Sequence, residues 1–399
     1  MRVCITGGPK SHKSFCINKV YLYLREKLNK EAFLVPQASS IISLGGVDLK
    51  IEGKNPKEII EYQKLVIKLQ MNLEDIYTTI AFNEQKNIII LCEEGTLDGL
   101  DTLNEIQLKR VLEDLKITIS DLRDIRYDIV VFLITCADGA ESQIEEQIPN
   151  DNRKNYLDDL IVKDRNLQNL WTGHRHLIII ANRGNSKEDK ISKACNNIFA
   201  CLNLPNYKKT KYKYLIEDPG INNKTFIESN TNIHFENHEI EVTFLKSFSS
   251  QIKEKLVMKF INGSYLYTYV RNSIHTNKTL KRKIQISFRD YIKLLERRNE
   301  RIEPLIKIRS CFLYESCYFI IDVYKGLKEV VSIMKIQVDQ YIRENEIDRM
   351  KESAQIPNFI KVLKNISDNS SYSDERIIES GFTTKEEVVI EKNILREIK

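Results

Sequence analysis

The sequence predicts two domains of different class: an α/β domain with a parallel sheet covered by helices on both faces, then an α+β domain built on an antiparallel β-barrel. Three observations lead there. At 399 residues the chain exceeds what one ordinary core organises. Through the first two hundred residues, short apolar strands alternate with helical stretches, the pattern of a parallel sheet with crossover helices. Beyond Pro205 the strands follow one another, with one helix among them. That series argues for an antiparallel barrel or strongly curved sheet.

The strand RVCIT (2–6) leads through a loop into a helix from about Ser14 to Lys30, and AFLVP (32–36) is a second strand. Pro56 to about Phe82 reads as a long helix, with Ile59, Ile60, Tyr62, Leu65, Val66, Leu69, Leu73 and Ile76 near helical spacing. NIIIL (87–91), YDIVVFLIT (127–135) and HLIIIAN (176–182) are continuous apolar runs, as expected of strands covered on both faces. These place an α/β domain at 1–204, followed by a short basic linker at 205–213.

The barrel domain is expected at 214–345. EIEVTFL (239–245), KLVMKFI (255–261), SYLYTYVR (264–271), IKIRSCFLY (306–314), CYFIIDVY (317–324) and VVSIMKIQV (330–338) read as its strands. Asn262-Gly263 is a turn signal between two of them. Ser287 to Asp290 resembles a capping box that opens a short helix ending near Arg297, with Arg289 and Asp290 serving its start. A helical extension is expected over 346–380, with PNFIKVLKNI (357–366) as its helical piece, and a charged tail over 381–399.

Hydrophobic content of 42% and mixed charge of 29% describe a soluble globular protein. The net charge of +5 permits an anionic partner and does not call for nucleic acid. Eight cysteines include no C-x-x-C pair and no zinc spacing, so buried, reduced thiols in a cytoplasmic protein are expected. The N-terminus shows no leader pattern, and no apolar run is long enough to span a bilayer.

The segment most suggestive of chemistry is GGPKSHKS, Gly7 to Ser14. A phosphate-binding loop reads G-x-x-x-x-G-K-[ST] between a strand and a helix. Gly7, Lys13 and Ser14 match that pattern, and His12 stands at its second glycine. Gly7, Gly8, Ser11, His12, Lys13 and Ser14 are therefore the candidate nucleotide contacts, with Ser14 the candidate Mg²⁺ ligand. His at a position of positive φ costs about 1–2 kcal/mol, though His tolerates the left-handed region better than most residues. NIIIL runs into Cys92-Glu93-Glu94-Gly95-Thr96-Leu97-Asp98. Glu93 and Asp98 are candidates for holding metal or accepting a proton in phosphoryl transfer. Glu94 adds negative charge that disfavours a polyphosphate unless Mg²⁺ offsets it.

In the barrel domain, period-two alternation puts Lys255, Val257 and Lys259 on one face of a strand. The same holds for Tyr265, Tyr267, Tyr269 and Arg271, and for Lys307 with Arg309. Lys255, Lys259, Arg271, Lys307 and Arg309 are the candidate anion contacts, as a cationic interior or rim. Which face points inward is open at this level.

GGPxSxKS, then C-x-x-GTLD, then RYD-x-V-x-x-L-x-T-x-ADGAE, then W-x-GH-x-H-L (171–177) resemble the TRPL translocation defect protein 14 family. GSYLYTYVR, ISFRDYIKLL, IKIRSCFLYESCYFIIDVY and IPNFIKVLKNISDNSSYSDE extend the resemblance to roughly residues 1–375. It implies a P-loop kinase-like domain, similar to bacterial nicotinamide-riboside kinase, joined to a CYTH-like triphosphate-tunnel domain. It also implies binding of a guanine nucleotide, binding of phosphatidic acid or phosphoinositides, and a role in moving membrane-protein cargo. Glu239 and Glu241 resemble half of the E-x-E-x-K signature of enzymatic tunnel domains and are candidate metal ligands, with Thr243 where the Lys would stand.

Several positions depart from the family. His12 replaces Gly, Glu93-Glu94 replace Asp-Arg, and Ala181-Asn182 replace Asp-Asn. Met334-Lys335-Ile336-Gln337 stand where a second acidic pair is expected. The departures imply degenerate chemistry: a weak GTP or ATP site using Mg²⁺ where nucleotide binds, and a cationic cavity for phosphate or lipid headgroups in a cytoplasmic protein peripheral to membranes. An active P-loop phosphotransferase or NTPase and a ligand-free scaffold are the alternatives.

Overall fold

The computed structural model describes residues 1–47, 53–144, 150–182, 186–202, 212–221, 226, 229–230, 232–247, 249, 251–275, 278–327, 331–337, 356–367 and 369–379. The linker at 205–213 falls outside these but for Tyr212 and Lys213, and so does the tail at 381–399. The chain forms two compact units, one of Met1–Thr210 with Leu313–Tyr318 and Gln337–Gln355, the other of Lys211–Phe312 with Phe319–Ile336 and the segment from Ile356.

The first unit is a parallel α/β sheet. Its strands β1 (Arg2–Thr6), β2 (Ala32–Val35), β3 (Ile89–Glu93), β4 (Ile129–Leu133) and β5 (Leu177–Ile180) lie in the order β2-β3-β1-β4-β5. The pairs β1–β3, β1–β4, β2–β3 and β4–β5 are parallel. Helices α1 (Lys13–Leu22), α2 (Ala38–Leu44), α3 (Pro56–Asn83), α4 (Glu105–Leu115) and α5 (Asn150–Trp171) connect them, and α6 (Lys187–Cys201) follows β5. The apolar runs are buried on both faces: Val3, Ile5, Leu91, Val131, Leu133, Ile178 and Ile180 form one core with Ile17, Val20, Ile191 and Ile198 of α1 and α6, and the alternate residues Cys4, Ile90, Val130, Phe132 and Ile179 are buried on the other side. The long helix α3 starts where expected. Asn55 caps it by accepting from Lys57 N and Glu58 N, while Glu58 returns a bond to Asn55 N. All eight cysteines are free, and Cys201 alone of them is not fully buried.

In the second unit nine strands form one sheet in the order β10-β9-β8-β7-β11-β12-β13-β6-β14. They are β6 (Tyr212–Ile216), β7 (Glu236–Phe244), β8 (Ile252–Ile261), β9 (Ser264–His275), β10 (Lys278–Ile286), β11 (Leu305–Tyr314), β12 (Cys317–Lys325), β13 (Val331–Gln337) and β14 (Val362–Asn365). Helix α7 (Phe288–Leu295) follows β10, capped by Ser287 on Asp290 N, and a one-turn helix α8 (Asp374–Glu379) follows β14. The predicted class order, parallel α/β and then an antiparallel sheet, is the observed one.

One expectation is corrected. PNFIKVLKNI was expected to be helical, but its Val362–Asn365 pairs antiparallel with β6 at the end of the sheet. Sheet-edge pairing overrides a local spacing that fits a helix.

Register decides which side chains share a face, because directly opposed residues of an antiparallel ladder project to the same side. Leu305 opposes Val242, Lys307 opposes Ile240 and Arg309 opposes His238. Phe244, Val242 and Ile240 oppose Lys255, Val257 and Lys259. One face therefore carries Lys255, Lys259, Lys307 and Arg309. It is continuous with the core of Ile240, Val242, Phe244, Leu305, Tyr324 and Ile333, to which Ile366 and Ile377 of the C-terminal segment are added. Glu239, Glu241 and Thr243 lie on the other face, with Phe260, Met258 and Leu256 opposite them. There Leu256, Met258, Tyr267 and Tyr269 pack with Tyr291 of α7.

Candidate anion-binding sites

The loop Gly7–His12 leaves the C-terminal end of β1, the middle strand, where neighbours β3 and β4 lie on opposite sides. This is the switch point at which open α/β sheets place ligands. Its carbonyls are engaged within the chain. Lys13 Nζ donates to Gly7 O (2.7 Å) and Gly8 O (3.0 Å), Thr135 Oγ1 to Pro9 O (2.6 Å), and Cys136 N to Lys10 O (3.1 Å). Lys10 and His12 have φ of 59° and 69°. Left-handed residues two apart are the kind of alternation that turns successive N–H groups to one side, as in an anion nest. His12 holds the strained conformation without a side-chain cap bond, its Nε2 3.1 Å from Gln143 Oε1. Ser14 is exposed at the second position of α1. Ser11 is buried, and its hydroxyl has no partner among the described residues.

The two glycines serve close approach. A Cβ on Gly7 would come 2.0 Å from Leu133 O, and one on Gly8 would come 2.2 Å from Asp164 Oδ1. Asp164, in the middle of α5, accepts from Gly8 N (2.8 Å), Thr135 N (3.0 Å) and Gln168 Nε2 (2.6 Å). Burial pushes its carboxyl up to about 6, against the pull of those donors. No local pattern marked this residue.

Carboxylates crowd the other side of the loop. Glu93 ends β3, half-buried, in register with Ile5. Its neighbour Glu94, with φ 61°, sits 3.4 Å from Lys13 Nζ. Asp98 is buried, bonded to Thr6 Oγ1 and accepting from Gly95 N at 2.7 Å. Burial, and next Glu94, raise its carboxyl well above the usual range. A cavity of about 190 Å³ opens beside Glu94 and Asp98, lined also by Gln37, Tyr62, Gln70 and Thr102. On α6, Lys190 is buried and donates to Ile134 O, and burial brings its ammonium down to about 8.

The second candidate site is the cationic face of the antiparallel sheet. Asp322 on β12 is fully buried. It receives Arg309 through Nε (2.7 Å) and Nη2 (3.0 Å), Lys335 Nζ at 2.5 Å and Lys307 Nζ at 3.3 Å. Asp374, at the start of α8, receives Lys307 Nζ (2.8 Å), Lys255 Nζ (2.8 Å) and Tyr324 Oη (3.0 Å). Four cations thus close on two carboxylates, joined through Lys307. Burial alone would raise both carboxyls, but Arg309, Lys307 and Lys335 hold Asp322, and Lys307 and Lys255 hold Asp374, well below the usual range. Burial outweighs Asp322 at Lys335 and brings it down to about 8.

Of the expected anion contacts, the fold brings Lys255, Lys307 and Arg309 into this cluster. Lys259 is on the same face. Arg271 opposes Glu254 on the other face and is exposed. Glu239 is exposed, and Glu241 is half-buried near Thr243 Oγ1 (3.3 Å), with its carboxyl raised by burial. Neither shares a face with the cations. Residues not singled out as ligands, Asp322, Tyr324 and Asp374, complete the cluster with Lys335. The odd-even pattern that groups Lys307 with Arg309 also marks Asp322 with Tyr324, but Asp374 carries no such signal. Among the described residues no three His, Cys, Asp or Glu side chains are grouped to hold a metal ion, and no helix is long and apolar enough to cross a membrane.

No protein-family model matches the chain, and no curated protein does. Solved structures resemble it distantly. The inorganic triphosphatase NE1496 is 14% identical, with a TM-score of 0.29 over 43% of this chain and 94% of its own. HpAC1 from Hippeastrum, described as having a dominant triphosphatase activity, is 11% identical, with a TM-score of 0.29 over 43% and 96%. The PH1819 protein from Pyrococcus horikoshii OT3 is 16% identical, with a TM-score of 0.26 over 36% and 85%. At these values the likeness carries neither an activity nor a ligand to this chain.

Proposed function

We propose that the chain is an anion-binding protein. Its antiparallel domain holds a phosphate-bearing ligand on the Lys255–Lys307–Arg309–Lys335 face, and its α/β domain binds GTP or ATP weakly, with Mg²⁺, at Gly7–Ser14. The observation that supports this best is an excess of cations around a buried carboxylate: among the described residues, four basic side chains, Lys307 buried and the others partly exposed, meet two carboxylates, one of which comes from outside the sheet. Buried cations are costly unless paired, and a phosphate group offers several acceptor oxygens to an arginine and neighbouring lysines. Glu239 and Glu241 lie on the opposite face, which favours a ligand held without metal over metal-assisted hydrolysis. In the α/β domain, Lys13 is already engaged by two carbonyls and Glu94, so any nucleotide affinity is low. The lipid headgroup and membrane-cargo roles are the finer form of this reading and rest on the family resemblance.

Calorimetric titration tests it. Tripolyphosphate should bind saturably, less tightly in Lys335→Met and in high salt. GTP or ATP with Mg²⁺ should bind weakly and be lost in Lys13→Ala, without turnover. Vesicles containing phosphatidic acid separate a lipid headgroup from a free phosphate. No heat with tripolyphosphate or vesicles would overturn the reading of the cationic face. Mg²⁺-dependent nucleotide turnover abolished by Lys13→Ala would establish instead a phosphotransferase using the cavity beside Asp98.

A further inference from the structure

We infer that Asp374 is a built-in competitor for the phosphate site, a carboxylate carried by the C-terminal segment that occupies the cationic face until an external phosphate displaces it. The inference rests on the proposed reading of that face.

Three donors from three different strands converge on this one carboxylate: Lys255 Nζ from β8 and Lys307 Nζ from β11, both at 2.8 Å, and Tyr324 Oη from β12 at 3.0 Å. The two carboxylates of the cluster differ in origin. Asp322 belongs to the sheet and is bound in a bidentate geometry by Arg309, so it is a fixed part of the wall. Asp374 arrives on α8, a single turn of helix joined to the sheet edge by the short run from Ile366 to Ser373. That turn is seated by Ile377, buried in the core beneath the cations, and by an ion pair of Glu375 with Lys253 at 2.7 Å. The sheet's own ladder does not depend on it.

With Asp374 withdrawn, Lys255, Lys307 and Tyr324 present two ammonium groups and a hydroxyl around a space that had held one anionic group. That donor set suits a phosphate, which brings more acceptor oxygens and more charge than a carboxylate. A phosphate cannot share the space with the Asp374 carboxylate, so binding requires α8 to yield. Small, locally seated elements open at lower free energy than a sheet. The apparent affinity is then the intrinsic one reduced by the fraction of molecules with α8 displaced.

The test uses the full chain and sodium tripolyphosphate. Asp374→Asn keeps the side-chain shape and removes the competing charge, and it should bind tripolyphosphate about tenfold or more tighter than wild type in calorimetry. Ile377→Ala, which loosens the seat without touching any charge, should shift affinity in the same direction. In wild type, tripolyphosphate should speed amide hydrogen exchange across 374–379. Equal affinity in wild type and both variants, with exchange unchanged while Lys335→Met still weakens binding, would leave the reading of the face standing and make Asp374 a structural counter-ion. If neither wild type nor the variants bind tripolyphosphate, the reading fails and the inference falls with it.

Discussion

The two regions proposed to bind phosphate supply positive charge in opposite ways. At Gly7–Ser14 it comes from backbone geometry, a helix N-terminus and Lys13. The surroundings oppose it through Glu94, which lies against the lysine, while burial disfavours the charged forms of the neighbouring Asp98 and Asp164. On the antiparallel sheet it comes from side chains in excess, and the opposing charge is a buried wall residue plus one carboxylate on a short helix. The contrast teaches that a sequence motif and an electrostatically favourable site need not coincide. Here the phosphate-loop pattern sits where carboxylates gather, while the cations meet on one face of a sheet whose E-x-E residues point to the other.

Breaking the centre of each region should expose the difference most. Asp322→Ala removes a fully buried carboxylate shared by Arg309, Lys307 and Lys335, of which Lys307 is itself buried. A loss of about 3–5 kcal/mol is expected, read by urea unfolding. Lys13→Ala breaks a partly exposed pair with Glu94 and leaves no fully buried charge behind, so it should change stability by only about 1 kcal/mol. Comparable losses in the two variants would contradict the central place given to the buried Asp322 carboxylate.

The two regions should also answer pH with opposite sign. Asp322 and Asp374 have depressed folded-state values. Their stabilisation is present above the unfolded carboxyl range, near about 4, and is lost as pH falls through the folded values. Asp164 is raised to about 6. Its contribution is full below about 4 and is lost as pH rises through 6, a change of about 2–3 kcal/mol. Asp164→Asn should flatten the stability slope of the α/β domain between those values and leave the acid limb of the other domain untouched. A slope unchanged by the substitution would mean that Asp164 does not titrate there.

The parts that local pattern reaches are the strands. Apolar runs such as Val130–Leu133 mark a strand covered on both faces, and alternation already pairs Lys307 with Arg309. Pattern fails where pairing partners decide. β10 (Lys278–Ile286) is an edge strand rich in lysine and arginine, without a clean apolar alternation, and β14 takes its form from β6. The sites are less legible still. Gly8 meets Asp164 across 156 residues and Lys255 meets Asp374 across 119, and no spacing rule spans such gaps. Glu239 and Glu241 differ by one position from residues on the cationic face, and one residue of register is enough to put a side chain on the other side of a sheet.

Smaller changes sharpen the account of the loop. Glu94→Gln removes the carboxylate 3.4 Å from Lys13 Nζ. GTP affinity by calorimetry should rise about fivefold, since a partly exposed pair is worth about 1 kcal/mol. His12→Gly tests the other departure. His12 stands at φ 69° and ψ 30°, where a side chain costs about 1–2 kcal/mol. Glycine relieves that cost but adds about 0.5–1 kcal/mol of chain entropy to be lost on folding. The bond of the His12 ring to Gln143 is also lost, so the net gain in stability should be about 0.5 kcal/mol. Nucleotide affinity should rise as the ring leaves the mouth of the loop. If GTP binds His12→Gly no better than wild type while Glu94→Gln improves binding, the backbone of the loop is already competent and the neighbouring carboxylate limits it. If His12→Gly alone improves binding, the ring is the obstacle, and the acidic neighbourhood is compatible with a bound polyphosphate once Mg²⁺ accompanies it.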